Sequence, residues 1–297
     1  MTYNLLLTGD LDHGLIAAGL AEQFGLPTGE VDVAGADDYD NRNWDAVVSC
    51  TYERVLGDVT WALDIHAAAD RPGLPSESQL AAGLAGRLGR SVLFPAQESL
   101  PSAYWLAAPG GLVTRARLLI DDEDEVTYTI DAVEQAVPDL PSTPVQRQPE
   151  VIREHRPATP ATDAFAAWLT EHEHSRGHGT DPAEEEAEWY ARTRLGAWES
   201  LAERMAAAWR PDDWYPADFY HEDLEVRDQL VQTVAALPQE VSARAAEALA
   251  SIDEVFREHT VDDKGTAVSE ALGLPRLDVA LRSWWWQRRP NPLPWSS

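Results

Sequence analysis

Six prolines fall within residues 138–162, at Pro138, Pro141, Pro144, Pro149, Pro157 and Pro160. Proline fixes φ and has no N–H to donate, so a regular helix is not expected to run through this stretch. It reads as an extended connector, and it divides the chain. Before it, over 1–137, strand and helix signals alternate. After it, over 163–297, the periodicity is mainly helical.

Within 1–137, Tyr3–Thr8 is an apolar strand run. Asp12 is placed to cap a helix whose stripe is Leu15, Ile16, Gly19, Leu20 and Phe24. Strands are predicted at Val31–Ala34, Trp44–Cys50 and Val59–His66, the last two joined around Gly57-Asp58. Ser76 and Gly89 bracket a second helix. Ser91–Phe94, Tyr104–Ala107, Leu112–Ile120 and Glu125–Val133 follow as strands with no helix between them. The predicted fold class is α+β: a mostly antiparallel sheet with two helices on one face, followed by a mainly α-helical module.

In 163–297, Phe165, Trp168, Leu169 and His172 share a helix face. Over Pro182–Trp209 the apolar residues Ala191, Leu195, Trp198, Ala202, Met205 and Trp209 recur in steps of four and three. Glu222–Ala236 and a segment after Pro238 complete four helices, enough for a small bundle. The tail Ser283–Ser297 mixes tryptophan, arginine and proline and reads as irregular.

The 51 acidic and 23 basic residues give a net charge of −28. That field repels nucleic acid and phosphate-rich surfaces and favours a basic protein or a cation as partner. Lys264 is the only lysine among the bases, and alanine is abundant, which points to a high-GC genome. In such a lineage acidity can be a proteome-wide trait, so two readings of the charge stay open. No apolar run is long enough to span a bilayer. The opening MTYNLLLTGD lacks the features of a signal peptide, and a cytoplasmic location is expected. A lone cysteine, Cys50, excludes an intrachain disulfide and reads as a small core residue.

Signals for chemistry are sparse. The run Gly9-Asp10-Leu11-Asp12-His13-Gly14 ends the first strand, where Asp10, Asp12 and His13 could hold a divalent metal. Equally, Asp12 could cap the following helix. The run is similar to the Gly-Asp-x-His-Gly opening of metallophosphoesterases, with one residue too many between Asp10 and His13. That family's later Gly-Asp-x-x-Asp and Asn-His pair are missing. His172, His174 and His178 form a second candidate metal set, although Gly177 and Gly179 end the helix there and favour a solvated loop. Zinc-protease, phosphate-loop, dinucleotide and nucleophile-elbow motifs are missing, and no cofactor is expected.

Two features suit binding. Five consecutive carboxylates, Asp121, Asp122, Glu123, Asp124 and Glu125, occupy a predicted hairpin tip. They would draw a cation or an arginine-rich surface, unless they are simply a solvated turn. Trp214, Tyr215, Trp284, Trp285 and Trp286 have the residue types of interface anchors. The alternative is local packing, with rings under arginine planes closing a core.

Leu100-Pro-Ser-Ala-Tyr-Trp-Leu, Thr114-Arg-Ala-Arg-Leu and Val126-Thr-Tyr-Thr-Ile together resemble uncharacterised proteins of high-GC actinobacteria. By type and charge, an acidic α+β domain without a catalytic motif is also similar to immunity proteins that neutralise basic toxins. This resemblance covers 1–137. It implies a non-enzymatic, immunity- or antitoxin-like protein that binds a basic partner. The runner-up expectation is a metal-dependent hydrolase using Asp10, Asp12 and His13 or the His172, His174, His178 set.

Overall fold

The structure, a computed structural model, describes residues 1–295 except 39, 41, 69–72, 97–99, 123–124 and 177–180, with backbone alone at 173–176. It is mixed α+β and divides into two compact units, Met1–Glu154 and His155–Ser297.

The first unit contains β1 (Thr2–Leu7), α1 (His13–Phe24), β2 (Val31–Gly35), β3 (Val48–Arg54), β4 (Leu56–Gly57) and β5 (Trp61–Ala67). It continues with α2 (Glu77–Leu88), β6 (Val92–Pro95), β7 (Ala103–Ala107), β8 (Val113–Asp121), β9 (Thr127–Val133) and α3 (Pro149–Glu154). These nine strands form one sheet in the order β2-β3-β5-β1-β6-β7-β8-β9-β4. Only the β2–β3 and β4–β9 pairs are parallel.

Alternation along β1 places a core on each face of the sheet. Tyr3, Leu5 and Leu7 pack with Ile16, Leu20 and Phe24 of α1 and with Leu80 and Leu84 of α2. Leu6 faces the other way, among Leu93, Leu106, Leu118 and Ile130. Each fully buried leucine or isoleucine contributes about 1.5–3 kcal/mol. Local signals start and stop both helices. Asp12 accepts from the Leu15 amide and Gly25 ends α1 in the left-handed region. Ser76 and Gln79 form a reciprocal capping box at the start of α2.

β4 gives the sheet its shape. It lies between β3 and β5 in sequence, yet it pairs with β9 at the far edge, so the sheet must curl round the Leu6-side core. The Asp58 amide donates to the Tyr128 carbonyl at 2.8 Å, and the Asp58 carboxylate accepts from the Ile130 amide at 2.9 Å. Gly57 has φ +100, and a Cβ there would lie 2.1 Å from the Tyr128 oxygen. Only glycine allows that approach. The sequence reading of Gly57-Asp58 as a simple strand connection missed this pairing.

Two further expectations are corrected. Trp44 is not in a strand but 71% exposed, and β3 starts at Val48. The Asn43 amide donates to Asp32, and the Asn43 side chain accepts from the Asp45 amide, so turn chemistry prevails over the apolar run. The proline-rich stretch is also not helix-free. Pro149 and Pro160 each open a helix, where a missing N–H costs nothing. Residues 138–154 belong to the first unit, and the Gln146 amide donates to the Val133 carbonyl at 2.8 Å.

The second unit contains α4 (Pro160–Arg176), α5 (Pro182–Ala206), α6 (Ala217–Ala236), α7 (Gln239–Glu258), β10 (Thr260–Asp262), α8 (Thr266–Leu272), α9 (Arg276–Ala280) and β11 (Arg288–Pro290). α5 packs against α4, α6 and α7 around buried Leu195, Trp198, Leu224, Ile252 and Phe256. Among the described residues the tail is regular in part rather than irregular throughout. β11 pairs with β10, and the Arg288 guanidinium donates to the carbonyls of Thr260 and Arg257. Among the described residues no helix is long and apolar enough to cross a membrane.

Candidate binding surface

The acidic run sits where the sequence puts it, at the turn between β8 and β9. Asp121, Asp122 and Glu125 are exposed, while Glu123 and Asp124 lie outside the described residues. The apolar company of this tip was not anticipated. Leu119, Ile120 and Val126 are 47%, 46% and 43% exposed, and Leu56 of β4 is 42% exposed. β4 brings Leu56 opposite Thr127, and the Leu56 amide donates to the Val126 carbonyl. The tip therefore carries carboxylates beside accessible aliphatic side chains, the mixture that suits a protein partner.

A recess of 480 Å³ lies at the end of β2 and β3, lined by Asp37, Asp38, Tyr52, Glu53, Arg54 and Trp61 together with Gly35 and Ala36. Among the described residues the lining includes the carboxylates of Asp37 and Asp38 and the guanidinium of Arg54, with Glu53 on the opposite face of β3. Tyr52 and Trp61 are half-buried and meet edge to face at 5.7 Å. The His13 ring packs against Tyr52, tilted by 30° with centroids 4.6 Å apart, and the Tyr52 ring lies against Gly35. Glu53 and Arg54 line the recess, and Leu56, two residues beyond Arg54, joins the hairpin tip. The recess and the tip are thus linked by the end of β3. Sequence reasoning missed the recess, because its residues come from three strands, β2, β3 and β5, and the loop after β2. The acids at Asp37 and Asp38 were the available signal.

The predicted metal residues have other roles. Asp12 caps α1, and the His13 ring packs against that of Tyr52. Asp10 is exposed. His172 lies on α4 rather than in a solvated loop, with its ring 4.7 Å from that of Trp168. His178 and the side chain of His174 lie outside the described residues. Among the described residues no group of three or more His, Cys, Asp or Glu side chains is placed to hold a metal ion. Burial pushes the Cys50 thiol up to about 12, with the Asp64 carboxylate adding to the effect, so Cys50 is not a nucleophile at neutral pH.

Asp64, His66 and Thr2 form a row with the residue types of a nucleophilic relay. The Asp64 carboxylate lies 3.3 Å from His66 Nε2, and His66 Nδ1 lies 3.1 Å from Thr2 Oγ1. The His66 and Asp64 side chains are 57% and 52% exposed, so water screens the pair and nothing encloses a substrate.

The aromatic residues proposed as anchors are used internally. Trp285 and Trp286 are buried, and their indole N–H groups both donate to the Asp228 carboxylate, at 2.9 and 3.0 Å. Tyr215 is buried, and its hydroxyl donates to Asp223 at 2.6 Å. A buried ring has no face to offer a partner, and these three are withdrawn as anchors. Trp284 is half-buried beneath the Arg257 guanidinium at 4.0 Å, and Trp214 is half-buried. The packing alternative, rings under arginine planes, describes Trp284, Trp285 and Trp286.

No family model matches the chain, and neither does any curated protein or solved structure. The functional reading therefore rests on the geometry and charge of the chain itself.

Proposed function

We propose that this protein is a non-enzymatic, cytoplasmic binding protein that captures a basic partner protein, in the manner of an immunity or antitoxin-like protein. The observation that carries the reading is the β8–β9 tip, where Asp121, Asp122 and Glu125 stand beside exposed Leu119, Ile120 and Val126. The net charge of −28 steers a basic protein towards the chain, and the exposed aliphatic side chains on the two faces of the hairpin end supply contact area once it arrives. Nucleic acid is disfavoured as a partner by the same field.

The test uses the full-length protein as bait in low and high salt, beside the Asp121→Asn/Asp122→Asn/Glu125→Gln variant, with the recovered protein then purified and titrated directly. A basic partner that the variant binds more weakly is the expected result. An acidic partner, or one that binds the variant equally well, would overturn the reading.

A further inference from the structure

We propose that the recess walled by Tyr52 and Trp61 is a receptor for a guanidinium group, namely an arginine side chain of the basic partner. The inference rests on the binding reading above and adds a site and a residue type to it. Carboxylates on an open turn attract any cation and select none. The recess differs because Asp37 and Asp38 share it with an aromatic wall. Asp37 and Asp38 line a space of 480 Å³ together with the half-buried rings of Tyr52 and Trp61, while Glu53 points to the opposite face of β3.

The wall is held in place. Tyr52 has the His13 ring on it at 4.6 Å and the Gly35 backbone against it, and Trp61 meets Tyr52 edge to face. Both rings also pack against the core shared by β1, α1 and α2. A planar, weakly hydrated guanidinium stacks on an indole face and presents paired N–H donors to carboxylates at its edge. An ammonium group is compact and strongly hydrated, so it gains less from such a wall. Among the described lining residues Arg54 is the one positive charge, and it opposes an incoming cation. The chain run Glu53–Leu56 joins the recess to the hairpin tip, so a partner seated on the tip lies within reach of it.

The test uses the full-length protein with isotope-labelled indole nitrogens, the Trp61 resonance being the one lost in Trp61→Phe. Methylguanidinium and methylammonium are titrated in turn at constant ionic strength. The expected result is a saturable shift of Trp61, with methylguanidinium tighter by about fivefold. Asp37→Asn/Asp38→Asn should weaken it by about threefold or more, and Arg54→Gln should strengthen it. A Trp61 resonance that stays still, or that responds equally to both cations or regardless of the acids, would overturn the recess proposal. The two readings fail separately. A silent Trp61 beside salt-sensitive capture of a basic protein overturns the recess alone. A guanidinium-selective Trp61 beside an acidic partner supports the guanidinium site but overturns the basic partner as its occupant, and with it the protein-binding reading.

Discussion

The Asp253 carboxylate grips the Arg227 guanidinium through two hydrogen bonds, Nε to Oδ1 at 3.1 Å and Nη2 to Oδ2 at 2.7 Å. The Trp198 indole N–H donates to the same Oδ1 at 2.9 Å, and the Trp285 ring lies 4.2 Å from the guanidinium carbon. Side-chain exposures are 6% for Arg227 and 9% for Asp253. Removing one partner of such a pair leaves a buried charge uncompensated and costs about 3–5 kcal/mol. Asp253→Leu should lower stability by that order in chemical denaturation. Arg227→Met/Asp253→Leu should recover part of the loss, because the desolvated charge is gone from both sides while the buried Trp198 indole N–H still lacks its acceptor, at a cost of about 1–3 kcal/mol. A single variant as stable as the parent would contradict this description of the second unit.

Cys50 should be inert to thiol reagents in the folded protein at about pH 8 and react fully on unfolding. The thiol is buried, and its value is raised from 9.0 to about 12. A raised folded-state value means that this contribution to stability is complete below the unfolded value. It is lost as pH rises from near 9 towards about 12, since the unfolded chain releases the proton first. Burial also raises Tyr215 and Tyr220 well above the usual tyrosine value, so alkaline unfolding should steepen in the same direction. Rapid labelling of native Cys50 would show that the strand is open.

Gly57→Ala should break the β4–β9 pairing. The added Cβ meets backbone, the Tyr128 oxygen, which cannot swing aside as a flexible side chain could. The expected cost is about 1–3 kcal/mol, with faster hydrogen exchange at the Ile130 amide, whose acceptor is the Asp58 carboxylate. Unchanged exchange at Ile130 would show that the sheet does not depend on this closure.

The local elements were legible because their signals are local. Asp12, Gly25, Ser76 and Gly89 act within a turn of their own helices, and the α5 stripe through Leu195, Trp198 and Met205 is buried as its period implies. The misreadings arose where distant partners decide. β4 owes its place to β9, the tail owes its order to β10, and Trp44 owes its exposure to the turn at Asn43. Pro149 and Pro160 were read as breakers although a helix tolerates proline in its first turn. The hairpin acids were visible as a run of one residue type. The recess was not, because Asp37, Tyr52 and Trp61 converge only after β2, β3 and β5 align.

Neutralising the tip should leave folding intact. Asp121, Asp122 and Glu125 are exposed, so Asp121→Asn/Asp122→Asn/Glu125→Gln should change unfolding free energy by no more than about 0.5 kcal/mol. A large loss of stability in thermal melts would assign these acids a structural role.

The central claim is electrostatic capture through the β8–β9 tip, and stopped-flow association kinetics with the purified partner test it most directly. The association rate of the full-length protein should fall by about tenfold or more between about 0.05 M and about 0.5 M salt. The Asp121→Asn/Asp122→Asn/Glu125→Gln variant should associate more slowly at low salt and show a flatter salt dependence, with dissociation nearly unchanged. Truncating Leu119 and Ile120 to alanine should instead speed dissociation. An association rate indifferent to salt and to the tip charges would contradict the account and leave the acidity of this chain without a role in binding.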